Sequence, residues 1–136
     1  MAKIARTPFN ASRMITGVIS ESKNLSGPTK GYTYFIDSLS EEEIVINIDY
    51  TDKGSYYKFI LREDSQGLIK IQVPALVALV ISKSDAEGTV VYEGTGTYID
   101  IAPGSKAGTY VDLICDGEKW YARGMSAGTI PFAISE

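Results

Sequence analysis

The stretch Ile44-Val45-Ile46-Asn47-Ile48-Asp49-Tyr50 sets Ile44, Ile46, Ile48 and Tyr50 on one face and Asn47 and Asp49 on the other. Successive side chains of a strand point to opposite faces, so a period of two marks a half-buried β-strand. Thr51-Asp52-Lys53-Gly54 then supplies a turn. The pattern recurs on both sides. Residues 32–37 form a run before it. After it, Tyr57, Phe59 and Leu61 alternate with Lys58, Ile60 and Arg62 as far as the turn Asp64-Ser65-Gln66-Gly67. Ile69, Ile71 and Val73 alternate with Lys70 and Gln72 until Pro74 interrupts, and Val77, Leu79 and Ile81 follow. A loop over residues 84–88 leads to short strands at 90–92 and 98–101, separated by a Gly94-Thr95-Gly96 loop. Residues 110–115 and 120–123 read as a hairpin about Asp116-Gly117, a strong hairpin signal.

About nine strands in roughly 95 residues, with no sustained helical period, predict an all-β domain, an antiparallel sandwich or barrel of about eight to nine strands. About three inward side chains per strand give a core of roughly two dozen, each worth about 1.5–3 kcal/mol on full burial. That scale opposes the chain entropy of a small domain without metal or disulfide.

Charge divides the 136-residue chain. Residues 1–30 carry five basic side chains (Lys3, Arg6, Arg13, Lys23, Lys30) against Glu21, a net of +4. Residues 31–136 carry 8 basic and 16 acidic side chains, a net of -8. The leading segment is too apolar for a free linker (Ile4, Phe9, Met14, Ile15, Val18, Ile19, Leu25) and too irregular for its own core. Residues 1–30 are therefore read as an extended basic N-terminal arm that lies on a partner surface, and 31–136 as the β-domain. The overall net charge of -4 argues against nucleic acid as a partner. No apolar run approaches the roughly 18–20 residues of a spanning helix, so no membrane is expected either.

The absence of His removes the commonest general base and most zinc sites, and a single Cys removes intrachain disulfides. Cys115 falls on the apolar face of its strand and reads as a buried, inert thiol. Glu41-Glu42-Glu43 reads as a solvated loop, and Asp49, Asp52 and Asp64 as turn formers. Gly94-Thr95-Gly96 lacks the spacing and Lys of a phosphate loop. No catalytic, cofactor or metal residues are expected. Tyr56-Tyr57 and Trp120-Tyr121 each send one ring inward and one outward. Tyr56, Tyr121 and Trp120 are thus candidates for an aromatic surface that stacks sugars or meets another subunit, with Trp120 alternatively a core plug.

The stretch Ala107-Gly108-Thr109-Tyr110-Val111-Asp112-Leu113-Ile114-Cys115-Asp116-Gly117-Glu118-Lys119-Trp120-Tyr121-Ala122-Arg123-Gly124 resembles a pattern recurrent in bacteriophage structural proteins. There a G-x-x-V-x-L strand meets a D-G turn and a W-Y return strand near the C-terminus. The preceding Val73-Pro74 and Thr97-Tyr98-Ile99-Asp100-Ile101 fall in a similar order, and the likeness covers roughly residues 32–130. The resemblance implies a jelly-roll-like sandwich of a capsid decoration (cement) protein or a tail-fibre knob. The leading expectation is a non-enzymatic, homotrimeric protein on the outer capsid surface. Its arm would dock on neighbouring copies of the major capsid protein, with Lys3, Arg6 and Arg13 pairing carboxylates and Phe9, Met14 and Ile15 filling pockets. The alternatives are a tail-fibre or tail-tip knob and a carbohydrate-binding module.

Overall fold

A computed structural model describes residues 15–26, 30–85, 88–127 and 133–135. These hold ten strands and no helix: β1 (Ile15–Ile19), β2 (Lys23–Leu25), β3 (Lys30–Ile36), β4 (Ile44–Ile48), β5 (Tyr56–Leu61), β6 (Ile69–Asp85), β7 (Gly88–Ile101), β8 (Tyr110–Cys115), β9 (Trp120–Ala127) and β10 (Ala133–Ser135). Burial follows the sequence alternation. Ile44, Ile46 and Ile48 of β4, Tyr57, Phe59 and Leu61 of β5, and Val111, Leu113 and Cys115 of β8 all join one core. The all-β expectation is met, and Cys115 is buried as expected.

The pairing corrects the uniformly antiparallel expectation. β1, β3 and β5 pair in parallel, as do β2, β4 and β6. Consecutive strands therefore alternate between two parallel stacks, each strand serving as the crossover between its neighbours. Parallel neighbours need such a crossover because no tight hairpin can join them. A jelly roll winds antiparallel strands, so that part of the expectation falls as well. The alternation specifies which side chains face inward, and parallel and antiparallel partners bury the same face equally well.

The remaining strands weld the stacks into one sheet. β5 continues through antiparallel β8 and β9, and β9 then runs parallel to β6. The first half of β6 pairs with β4 and the second half with β9, while β7 runs antiparallel along both. The pairing skips between Gln72 and Leu76, around the exposed Pro74. Proline has no N–H to give a ladder, so β6 changes partner there but does not end. β7 is likewise one strand through Gly94-Thr95-Gly96, where a loop was expected. The sheet folds back on itself, nearly closed: its main path runs from β1 at one end to β2 at the other, and β7 and then β10 branch from β6.

These two end strands come from the segment assigned to the arm. Ile19 and Leu25 are buried in the core, and the Ser22 hydroxyl accepts the Val45 N–H at 2.9 Å. At the far ends of β3 and β5, Asp37 and Arg62 form a two-bonded fork, with Arg62 Nε 3.0 Å from Asp37 Oδ1. Residues 15–25 thus belong to the folded body, and 1–14 lie outside the described residues.

The β8–β9 hairpin leaves no room for a side chain at Gly124. An added Cβ there would stand 2.5 Å from the Tyr110 carbonyl oxygen and 3.2 Å from Val111 Cα. Both are backbone atoms, so relief requires shifting the ladder. Gly124→Ala is expected to lower stability by about 1–3 kcal/mol in urea titrations. An unchanged midpoint would contradict that packing.

Candidate functional site

The sheet of β1, β3, β5, β8 and β9 has an aromatic inner face. Tyr34 stacks on Phe59 at 6.0 Å between ring centroids, Phe59 on Tyr57 at 5.7 Å, and Tyr57 lies 5.9 Å from Trp120. Tyr50, just beyond β4, meets Trp120 edge-on at 5.8 Å, and its hydroxyl shares a 2.8 Å hydrogen bond with the Tyr57 hydroxyl. The Tyr50 carbonyl accepts the indole N–H of Trp120 at 2.8 Å. Burial, aided by the Tyr50 hydrogen bond, pushes the Tyr57 hydroxyl far above the usual tyrosine range, so it stays protonated. Trp120 is 0% exposed. It is a core side chain with its polar atom satisfied, which corrects its place in the candidate surface. A hairpin end covered by Tyr50 made that the outcome.

The outer face carries Tyr56 and Tyr121, as expected, and the register shows what accompanies them. Three cross-strand rows run over the sheet. In the first, Val18 pairs with Phe35, Phe35 with Ile60, Ile60 with Tyr110 and Tyr110 with Met125. The second is polar: Thr33, Lys58, Asp112 and Arg123. In the third, Lys30 pairs with Tyr56, Tyr56 with Ile114 and Ile114 with Tyr121, so the row is apolar from β5 to β9. Val18, Met125 and Ile114 are exposed, and Phe35, Ile60 and Tyr110 half-buried. Two apolar stripes thus flank a charged one. Lys58 Nζ lies 3.8 Å from Asp112 Oδ1 and 4.8 Å over the Tyr110 ring. Tyr56 donates its hydroxyl to Asp112 Oδ1 at 3.3 Å. A shallow depression of about 190 Å³ lies among Tyr56, Asp112, Ile114, Tyr121 and Arg123. Phe35, Ile60, Tyr110 and Met125 carry no mark of this surface in the sequence, because such rows exist only once register is known.

The hairpin end below this face is braced by Asp116. Its Oδ1 accepts the backbone N–H groups of Glu118 (2.8 Å) and Lys119 (2.9 Å), and its Oδ2 accepts the Tyr121 hydroxyl (2.9 Å). Gly117 takes φ of 102°, which the turn requires. The Lys119 and Glu118 N–H groups, with the Tyr121 hydroxyl, hold the Asp116 carboxyl below its usual range. The same hydroxyl contact raises Tyr121.

The other candidates fall elsewhere. Lys3, Arg6, Phe9, Arg13 and Met14 lie outside the described residues, and Ile15 begins β1 with its backbone opposite Thr33. Glu41, Glu42 and Glu43 are exposed between β3 and β4, as expected of a solvated loop. Glu42 and Glu43 border a depression of about 390 Å³ with Ser22, Ser38 and Ser40. Those hydroxyls accept the backbone N–H groups of Val45, Gly67 and Glu42 respectively, so they brace loops. Among the described residues, no helix is long and apolar enough to cross a membrane.

Two measurements check this geometry. The sole tryptophan should emit in the blue and resist acrylamide quenching, and ready quenching would contradict its burial. Because folding depresses the Asp116 pKa, its stabilising effect is present above about pH 4 and is lost as pH falls through the folded value. The urea midpoint of the wild type should therefore exceed that of Asp116→Asn by more at about pH 5 than at about pH 2. An equal difference at both would contradict the assigned hydrogen bonds.

Comparison with protein-family models, curated proteins and solved structures finds no match, so function has to be argued from the geometry of this chain.

Proposed function

We propose that the chain is a non-enzymatic structural protein of a bacteriophage particle that decorates and cements the capsid, with the major capsid protein as its partner. The observation that supports this reading is the position of β1. It is a terminal strand of the sheet, paired with β3 along its length and anchored by Ile19 in the core. The sequence before it carries Lys3, Arg6 and Arg13 and no acid, so the chain enters this edge strand from a cationic segment. Arg6 and Arg13 suit bidentate pairing with carboxylates, and Phe9 and Met14 suit small pockets on a grooved surface. The likeness of residues 107–124 to virion proteins supplies the setting, and the outer capsid surface is the site it favours.

A second reading, a tail-fibre or tail-tip knob, draws support from the parallel stacking of β1, β3 and β5 and of β2, β4 and β6. Elongated assemblies extend such repeats rung by rung. The carbohydrate-binding reading loses its strongest ring with Trp120 in the core.

Deleting residues 2–13 tests the cationic segment without removing β1 or β2. The truncated protein should unfold at the wild-type urea concentration yet fail to bind heads stripped of the protein. Binding at full occupancy would contradict the proposal.

A further inference from the structure

Alternation in a sheet with one solvated face normally leaves polar residues outside. This outer face instead presents two apolar rows about one charged row. We propose that it is a two-fold interface with a second copy of this chain, packed sheet on sheet with the axis parallel to the strands midway between β5 and β8. This goes beyond the capsid reading and does not rest on it.

The pattern of charge carries the assignment. A two-fold axis along the strands sets each row against the same row of the other copy, in reversed strand order. With the axis on β5, Lys58 would oppose itself, and on β8 Asp112 would oppose itself. Midway between them, Lys58 of each copy faces Asp112 of the other. The same operation sets Ile60 against Tyr110, Phe35 against Met125 and Tyr56 against Ile114 of the second copy. At the centre Lys58 thus meets Asp112 and the apolar positions of β5 and β8 meet apolar ones, while at the flanks Arg123 faces Thr33 and Tyr121 faces the Lys30 position of the second copy. Sheets packed face to face keep their strands within about 30° of one another, which preserves this opposition at the centre.

Size is consistent with reversible association. The axis opposes four strands (β3, β5, β8 and β9), which at about 4.8 Å apart span roughly 14 Å, and the strand from Tyr56 to Ile60 about 13 Å. With side-chain margins the footprint is on the order of 400 Å² per copy. The total of about 800 Å² is that of a weak, transient contact. A trimer needs a head-to-tail contact between two different patches. This face is complementary to itself at its centre, so the proposal is of a two-fold pair in place of the trimer expected from the sequence.

Sedimentation equilibrium of the full chain at about 5–200 µM should show a monomer–dimer equilibrium with half-association at tens of micromolar, in keeping with the small area. Ile114→Asp, at a position 51% exposed and so tolerant of change, should weaken association at least tenfold. Lys58→Asp and Asp112→Lys should each be monomeric alone, with wild-type Trp120 emission reporting an intact fold. Mixed in equal amounts they should dimerise, because the acidic pair of the first variant then faces the basic pair of the second across the axis. A wild type monomeric at about 200 µM, a trimer, or a mixture that stays monomeric would overturn the proposal. The measurement uses the purified chain alone, so its failure is distinguishable from failure of capsid binding.

Discussion

Pro74 has no N–H to donate, and around it the long strand β6 changes partner from β4 to β9. That single exchange makes one sheet of two stacks. Before it, β6 is the last parallel strand of the series β2, β4, β6. After it, β6 borders the series that begins with β1, β3 and β5 and continues through β8 and β9. The exchange also fixes the core. Leu76, just past Pro74, is buried and pairs with Trp120, whose indole N–H is held by the carbonyl of Tyr50 from the β4 side. Both stacks are therefore committed to one interior.

The sequence made the strands and their inward faces legible because burial imposes a period of two on the side chains themselves. Ile44, Ile46 and Ile48, or Val111, Leu113 and Cys115, announce their faces without reference to a partner. Partner direction has no such signature, which is why the parallel stacks read as antiparallel from the sequence. Ile19 and Leu25 look isolated in the sequence because β1 and β2 are so short, five and three residues, that neither shows a period. They are strands because β3 and β4 offer them a ladder. The candidate surface was half legible. Tyr56 and Tyr121 follow from alternation, but the neighbours that make them part of a face are set by register.

The division of labour suggested by the charge pattern takes a more specific form in three dimensions. The cationic segment precedes β1, a terminal strand of the acidic body that is paired with β3 and anchored by Ile19 in the core. The outer face of that sheet is a separate surface, with self-complementary charge at its centre. On the proposed reading, one end of the chain would grip a shell and one face its own copy, an arrangement suited to bridging neighbouring lattice positions.

An image reconstruction of particles carrying the chain tests this reading most directly. It predicts ten-stranded bodies on the outside of the head, in pairs related by a local two-fold across the β5–β8 face, with β1 directed at the shell. Density for the bodies at the tail tip or inside the head, or bodies on the shell whose β5–β8 faces stand open to solvent, would contradict it.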